Sequence, residues 1–273
     1  MNIYKDIETR TNGEIYIGVV GPVRTGKSTF IKRFMELMVL PAITDENNRK
    51  RAMDELPQSA AGKTVMTTEP KFIPKEAVEV FFEDGVHFKC RMIDCVGYMV
   101  QGAEGHEEDG KERLVKTPWF DYDIPFTKAA EIGTKKVIYD HSTVGIVVTC
   151  DDTISELNRS AYIQPETQTM NELKSLGKPF IVVLNSRKPA SMETVELARQ
   201  MEEEYGVSVL PINCDQLRKT DVVHIFEALL LDFPVTCVKF DIPKWVEALD
   251  MKDEIKQKVV EKTNQIFSQM YLM

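Results

Sequence analysis

The sequence predicts an α/β fold: a doubly wound, mostly parallel sheet with one antiparallel edge strand, wrapped by helices. Three observations carry that expectation. Short apolar runs of strand length alternate with segments of helical period, the pattern of a parallel sheet with crossover helices. A glycine-rich turn joins the first such run to the first helix. One stretch departs from the alternation, with two strand-like runs around Asp84 and Gly85, a hairpin signal that makes its strands antiparallel.

The elements follow in order. The first strand covers 14–20. The helix that opens at Ser28 sets Phe30, Ile31, Phe34, Leu37 and Met38 at helical spacing, and Pro41 stops it. Residues 44–62 are polar with partial helical character. Residues 71–94 form the antiparallel pair, whose second member ends in Asp94. Residues 98–127 break the rhythm with glycines, an acidic cluster (Glu104, Glu107, Glu108, Asp109), Pro118 and Pro125, and read as an exposed, mobile insertion. Strands then fall at 144–149, 180–185 and 207–212. Helices fall near 166–176, 192–205 and 219–232, with Gly177 and Gly206 as helix-ending residues. A last strand-like piece covers 235–240. The tail 251–272 sets Ile255, Val259, Ile266, Phe267 and Met270 on one helical face. The main domain is therefore expected at 1–240. The segment 241–273 is a linker or the root of a further domain, or a helix packed on the domain's own flank.

Composition narrows the function. The 273 residues are 43% hydrophobic and 28% charged, enough apolar surface for a core. A net charge of −9 argues against nucleic-acid binding, which needs a basic face. The cysteines at 90, 95, 150, 214 and 237 lack metal-ligand spacing and read as buried free thiols of a reducing, cytoplasmic compartment. The histidines at 87, 106, 141 and 224 show no metal spacing either. No run reaches the roughly 20 apolar residues of a membrane span.

The strongest motif is Gly21, Pro22, Val23, Arg24, Thr25, Gly26, Lys27 and Ser28, followed by Thr29: a complete G-x-x-x-x-G-K-[ST] between a strand and a helix. Its glycines let successive N–H groups turn inward as an anion nest, and the helix start adds its positive end. Lys27 would reach the β- and γ-phosphates of a nucleotide, and the Ser28 hydroxyl is a hard ligand for Mg²⁺. Asp94, Cys95, Val96 and Gly97 end a buried strand. A carboxylate there can hold the Mg²⁺ shell, and Gly97 lets the backbone approach the γ-phosphate. Thr67 or Thr68 can complete the metal shell and sense the γ-phosphate from a switch loop. These positions specify a P-loop nucleoside triphosphatase of Ras-like fold.

Three departures refine that reading. Asn185 ends a buried strand where small GTPases carry N/T-K-x-D, but Lys188 stands at the aspartate position and cannot accept hydrogen bonds from guanine. ATP is then expected over GTP, with Asn185 and Arg187 as candidate nucleotide contacts. Tyr98 follows Gly97 where many GTPases place a water-orienting glutamine, so hydrolysis should be slow or assisted. Arg24 occupies the fourth loop position and could act as an arginine finger in cis.

The run from Gly18 to Lys32 (GVVGPVRTGKSTFIK) resembles the stage IV sporulation protein A family. So do Asp54 to Lys71 (DELPQSAAGKTVMTTEPK), Asp94 to Tyr98 (DCVGY), and the shorter stretches at 117–120, 130–134 and 177–181. The resemblance covers nearly the whole chain. It implies an ATPase descended from translation-factor-type GTPases, with Lys27 as the Walker A lysine, Asp94 as the Walker B-type carboxylate and Thr67/Thr68 as sensor threonines. It further implies Mg²⁺-dependent ATP hydrolysis that drives self-assembly of the basement layer of the endospore coat. That layer would sit on the outer forespore membrane in the mother-cell cytoplasm, docked through a small amphipathic membrane-anchoring peptide protein and joined by other coat proteins. Family members carry further middle and C-terminal domains. Two competing readings are a GTPase with a degenerate base-specificity loop and a structural protein that binds nucleotide with little turnover.

Overall fold

The computed structural model describes residues 14–57, 69–81, 87–103, 105–108, 110–233 and 241–270. They fall into two compact units, Met1–Phe233 and Pro234–Met273. The strands of the first unit are β1 (Glu14–Val20), β2 (Lys71–Phe81), β3 (His87–Asp94), β4 (Glu107–Glu108), β5 (Lys111–Glu112), β6 (Leu114–Thr117), β7 (Phe120–Pro125), β8 (Val144–Cys150), β9 (Phe180–Asn185) and β10 (Val209–Ile212). Its helices are α1 (Lys27–Phe34), α2 (Glu46–Asp54), α3 (Phe126–Lys136), α4 (Ser160–Ser175), α5 (Met192–Tyr205) and α6 (Lys219–Leu231). In the second unit, α7 (Lys244–Glu247) precedes α8 (Glu254–Met270). Asp253 caps α8 by accepting from the Ile255 N–H at 2.9 Å. Lys256 Nζ ties α8 back to the carbonyls of Glu247 and Leu249 at 2.9 and 2.8 Å. The strand expected at 235–240 lies outside the described residues.

Among the described residues, six strands form the central sheet in the order β10-β9-β8-β1-β3-β2. All neighbours are parallel except the edge pair β2–β3. The order reverses at β1, with β3 on one side and β8 on the other, so a crevice opens beyond the carboxyl ends of these strands. Strands β8 and β9 are buried along their whole length, as unbroken apolar runs of a covered parallel sheet must be. Pro74 sits in β2, where the edge position tolerates a missing N–H and the register shifts between Ile73 and Val78.

Alternation along the strands splits the core between the two faces. Ile15, Ile17 and Val19 of β1 meet Phe30, Ile31 and Phe34 of α1 and Val222, Ile225 and Phe226 of α6. Val20, Val147 and Val182 face the other way, toward Ile138 behind α3, Met170 and Leu173 of α4, and Ala198 and Met201 of α5. Each fully buried side chain of this size contributes about 1.5–3 kcal/mol of hydrophobic free energy. The two layers hold the sheet flat against helices on both sides and leave its carboxyl edge for chemistry.

Two expectations need correction. The stretch 98–127, read as an exposed insertion, carries regular structure in its described part: two antiparallel hairpins, β4–β5 and β6–β7, on which Leu114, Phe120 and Tyr122 are exposed. Helix α3 follows directly and was not foreseen. Its buried stripe is Phe126, Ala129, Ala130, Gly133 and Thr134, continued by Val137 and Ile138 in a π-helical turn. Phe126, Ala129, Ala130, Val137 and Ile138 recur at helical spacing, but Gly133 and Thr134 fill the middle of the stripe and weaken its apolar signal. Helix α4 also begins earlier than expected, at Ser160, because Asp152 accepts from the Arg159 N–H and Tyr162 is fully buried, with Pro165 accommodated inside the helix.

Candidate nucleotide-binding site

Of the residues singled out from sequence, those that the structure describes lie at the carboxyl edge of β1, β3, β8 and β9. The loop between β1 and α1 reaches its shape through positive φ at Gly21 (126°), Arg24 (64°) and Gly26 (98°). Arg24 is the one non-glycine residue with positive φ among the described residues, and its side chain is exposed at the loop tip. Holding an L-residue there costs on the order of 1–2 kcal/mol, a strain the fold must impose. Thr25 is fully buried and its hydroxyl donates to Pro22 O at 3.0 Å, closing the loop on itself.

Lys27 is buried, and its ammonium donates to Pro22 O at 2.5 Å and Gly21 O at 3.3 Å. Burial lowers its pKa, against the opposing influence of Cys95, Asp94 and Cys150. A cation in this position gains strongly from a nearby anion. Ser28 lies in the first turn of α1, and its hydroxyl donates to Asp94 Oδ2 at 2.9 Å. The second carboxylate oxygen, Oδ1, is buried with no hydrogen-bond partner. Burial raises the Asp94 pKa, opposed by Lys27 and the Ser28 hydroxyl. An orphaned carboxylate oxygen beside a serine hydroxyl supplies oxygen ligands that fit Mg²⁺, which takes one or two carboxylates and completes its shell with phosphate oxygens and water, while the Lys27 ammonium beside them suits the phosphates. Thr67 and Thr68, the other candidate metal ligands, lie outside the described residues, and Thr29 is half-buried in the first turn of α1.

The turn after Asp94 is pressed onto the phosphate loop. Gly97 has φ 96°, and a Cβ there would lie 2.1 Å from Gly21 O and 2.6 Å from Lys27 Nζ, so no other residue fits. Val23 N–H donates to Tyr98 O at 2.9 Å, joining the loop to the turn. Tyr98 itself is buried, and its hydroxyl donates to Glu172 of α4, away from Lys27 and Ser28. Burial, with Glu172 beside it, pushes the Tyr98 pKa far up.

On the opposite side, Asn185 is buried with both polar ends engaged. Its Nδ2 donates to Thr25 O at 2.9 Å, and its Oδ1 accepts from Cys214 N–H at 3.0 Å. It locks the end of the phosphate loop to β9 and to the loop after β10. Arg187 is exposed, and its N–H donates to Thr153 Oγ1 at 2.8 Å. Two supporting residues escaped the sequence reading. Asp151, buried at the end of β8, accepts from Thr153 N–H (2.9 Å) and Thr153 Oγ1 (2.5 Å), and from Thr194 Oγ1 at 3.2 Å. Its signal was available, since it follows an apolar strand as Asp94 does. Glu172, on a helix face far along the chain, carried no signal at all.

Among the described residues no helix is long and apolar enough to cross a membrane, and no group of three or more His, Cys, Asp or Glu side chains could hold a metal.

With that geometry in view, the chain matches the family model described as Stage IV sporulation protein A, ATPase domain, over residues 1–234. Stage IV sporulation protein A of Clostridioides difficile (strain 630) is 54% identical over 95% of this chain and 53% of that protein. The protein of the same name from Bacillus subtilis (strain 168) is 52% identical over 91% of this chain and 51% of its own length. The chain thus spans about half the length of these curated relatives. A solved structure of an SsGBP variant superposes with a TM-score of 0.44 at 16% identity, over 82% of this chain and 57% of that one, too loosely to carry an argument. The family model over most of the chain and identities above half along nearly all of it lead to one conclusion: the chain belongs to the stage IV sporulation protein A family and carries its ATPase domain.

Proposed function

We propose that this chain binds ATP with Mg²⁺ and hydrolyses the terminal phosphate in the service of sporulation. The observation that carries the reading is the Ser28–Asp94 pair, 2.9 Å apart with Asp94 Oδ1 unpartnered, set beside a buried Lys27 in a complete phosphate loop. Ser28 and Asp94 would hold the metal, with Thr67 or Thr68 completing its shell. A Mg²⁺ ion held there would supply charge neutralisation to the phosphates. Lys27 would exchange the carbonyls of Gly21 and Pro22 for phosphate oxygens, and the N–H groups of residues 24–29 would cradle the chain of phosphates. Gly97 gives the γ-phosphate room on the far side. Asn185 acts on the nucleotide by fixing Thr25, and Arg187 is placed on the exposed rim. Arg24, exposed at the loop tip, is the candidate cis arginine for the developing charge. Lys188 at the guanine-reading position favours ATP over GTP.

Hydrolysis would drive self-assembly of a structural layer of the endospore coat at the forespore surface, in the mother-cell cytoplasm. Its partners there would be further copies of the protein, a small amphipathic membrane-anchoring peptide protein and other coat proteins. The family membership supports the sporulation part of this reading.

The deciding experiment is phosphate release from ATP and from GTP, side by side, by the chain and by Lys27→Ala. ATP-selective release lost in the variant upholds the proposal, and preferential release from GTP replaces it with a GTPase. A second reading, nucleotide binding with little turnover, is favoured by one observation: Tyr98 stands in the water-orienting position, yet its hydroxyl is committed to Glu172. Tight ATP binding without release would establish it.

A further inference from the structure

Three ties hold the turn after Asp94 against the phosphate loop. The first is the backbone bond from Val23 N–H to Tyr98 O at 2.9 Å. The second is apolar: Val23, Val100, Ala103, Cys150 and Tyr162 share one buried cluster. Both lie within the site. The third leaves it. Tyr98 is 5% exposed, and its hydroxyl donates to Glu172 on the outer helix α4. Glu172 is itself held in place. Gln168 Nε2 donates to its Oε1 at 3.4 Å, and Lys135 Nζ of α3 stands 3.8 Å away, paired in turn with Glu131 at 2.7 Å.

We propose that Tyr98 is a positioning residue: its hydrogen bond to Glu172 pins the Gly97 turn onto the phosphate loop, in the register at which Gly97 and Lys27 share the γ-phosphate. The proposal rests on the ATPase reading above for its functional half. Its structural half is independent of any nucleotide. Gly97 has no slack, because a side chain there would overlap Gly21 O and Lys27 Nζ. A turn fitted that closely is sensitive to small displacement, and misplacement of about 1 Å can cost on the order of 100-fold in rate. Where other enzymes of this fold use a side chain at this position to orient water, this chain spends the side chain on holding the backbone.

The test compares Tyr98→Phe, Glu172→Ala and Glu172→Gln with the unaltered chain, each checked for cooperative thermal unfolding. Phenylalanine keeps the ring and removes only the hydroxyl. Glutamine keeps an acceptor for Tyr98, and alanine does not. Hydrogen exchange is followed without nucleotide at the Val23 amide and across 96–100, and phosphate release from ATP is measured in parallel. Tyr98→Phe and Glu172→Ala should speed exchange at these amides about tenfold, the loss of one hydrogen bond to a charged group. They should lower kcat by a similar factor with KM unchanged, and Glu172→Gln should restore both. Exchange unchanged in Tyr98→Phe and Glu172→Ala overturns the pin. Faster exchange with an unchanged kcat overturns the positioning role. Should the unaltered chain release no phosphate, the ATPase reading falls, and the exchange measurement still decides whether the pin exists.

Discussion

The two ends of the candidate site are built on opposite principles. At the β1–β3 end, polar groups have capacity to spare: Lys27 is served only by two loop carbonyls, and Asp94 Oδ1 is buried without a partner. At the β8–β9 end the polar groups of Asn185 and Asp151 are engaged. Asn185 uses both its polar ends on backbone, and the Asp151 carboxylate takes bonds from Thr153 and Thr194. A buried polar group without a partner costs stability, so a fold keeps one where a ligand repays the cost. The saturated end keeps the other rigid. On the proposed reading, one end receives charge and the other holds the receiver in shape.

That contrast can be broken by substitution. The largest effect should come from Lys27→Ala, with phosphate release down by 100-fold or more on the usual scale for losing a charge-stabilising donor. Stability should fall little, because a desolvated ammonium is lost with it; steady-state release and denaturant unfolding together read both. Asp94→Asn comes next: an amide is a poor Mg²⁺ ligand, and the Mg²⁺ concentration for half-maximal nucleotide binding should rise at least tenfold by the general scale of lost metal-ligand contacts. Binding unmoved by Mg²⁺ in both forms would remove Asp94 from the metal site. Asn185→Ala should behave in the opposite sense, as a stability variant. It leaves Thr25 O and Cys214 N–H without their partner and should cost about 2–4 kcal/mol in urea unfolding, counting two buried groups. A full loss of turnover in a chain of unaltered stability would contradict the structural role given to this residue. Arg24→Gly is the finest probe. It relieves positive φ at an exposed position and should stabilise the chain by about 1 kcal/mol. Turnover that falls several-fold despite that gain would mark Arg24 as the cis arginine, and unchanged turnover would leave it a surface residue. Arg187→Ala, exposed and joined through its backbone, should change stability by less than about 0.5 kcal/mol.

Much of this was legible in the chain itself. The alternation of apolar runs gave the sheet, and the Asp84-Gly85 signal matched an antiparallel edge pair, although the turn itself lies outside the described residues. The phosphate loop was readable because its conformation is local: glycines at 21 and 26 and a helix start follow from neighbours in sequence. Helix α3 was missed although Phe126, Ala129, Ala130, Val137 and Ile138 recur at helical spacing, because Gly133 and Thr134 interrupt the apolar stripe in its middle. The hairpins of 107–125 escaped for a similar reason, as their strands are short and largely exposed.

The sequence alone determined the chemistry available, namely Lys27, Ser28, Asp94 and Gly97 at the ends of two recognisable strands, because each owes its place to local backbone geometry. Tertiary structure decided how those groups are held. Asn185 meets Thr25 across 160 residues, and Tyr98 meets Glu172 across 74. No local pattern encodes such pairs, because they exist only once the helices have packed on the sheet and brought distant donors and acceptors out of water together.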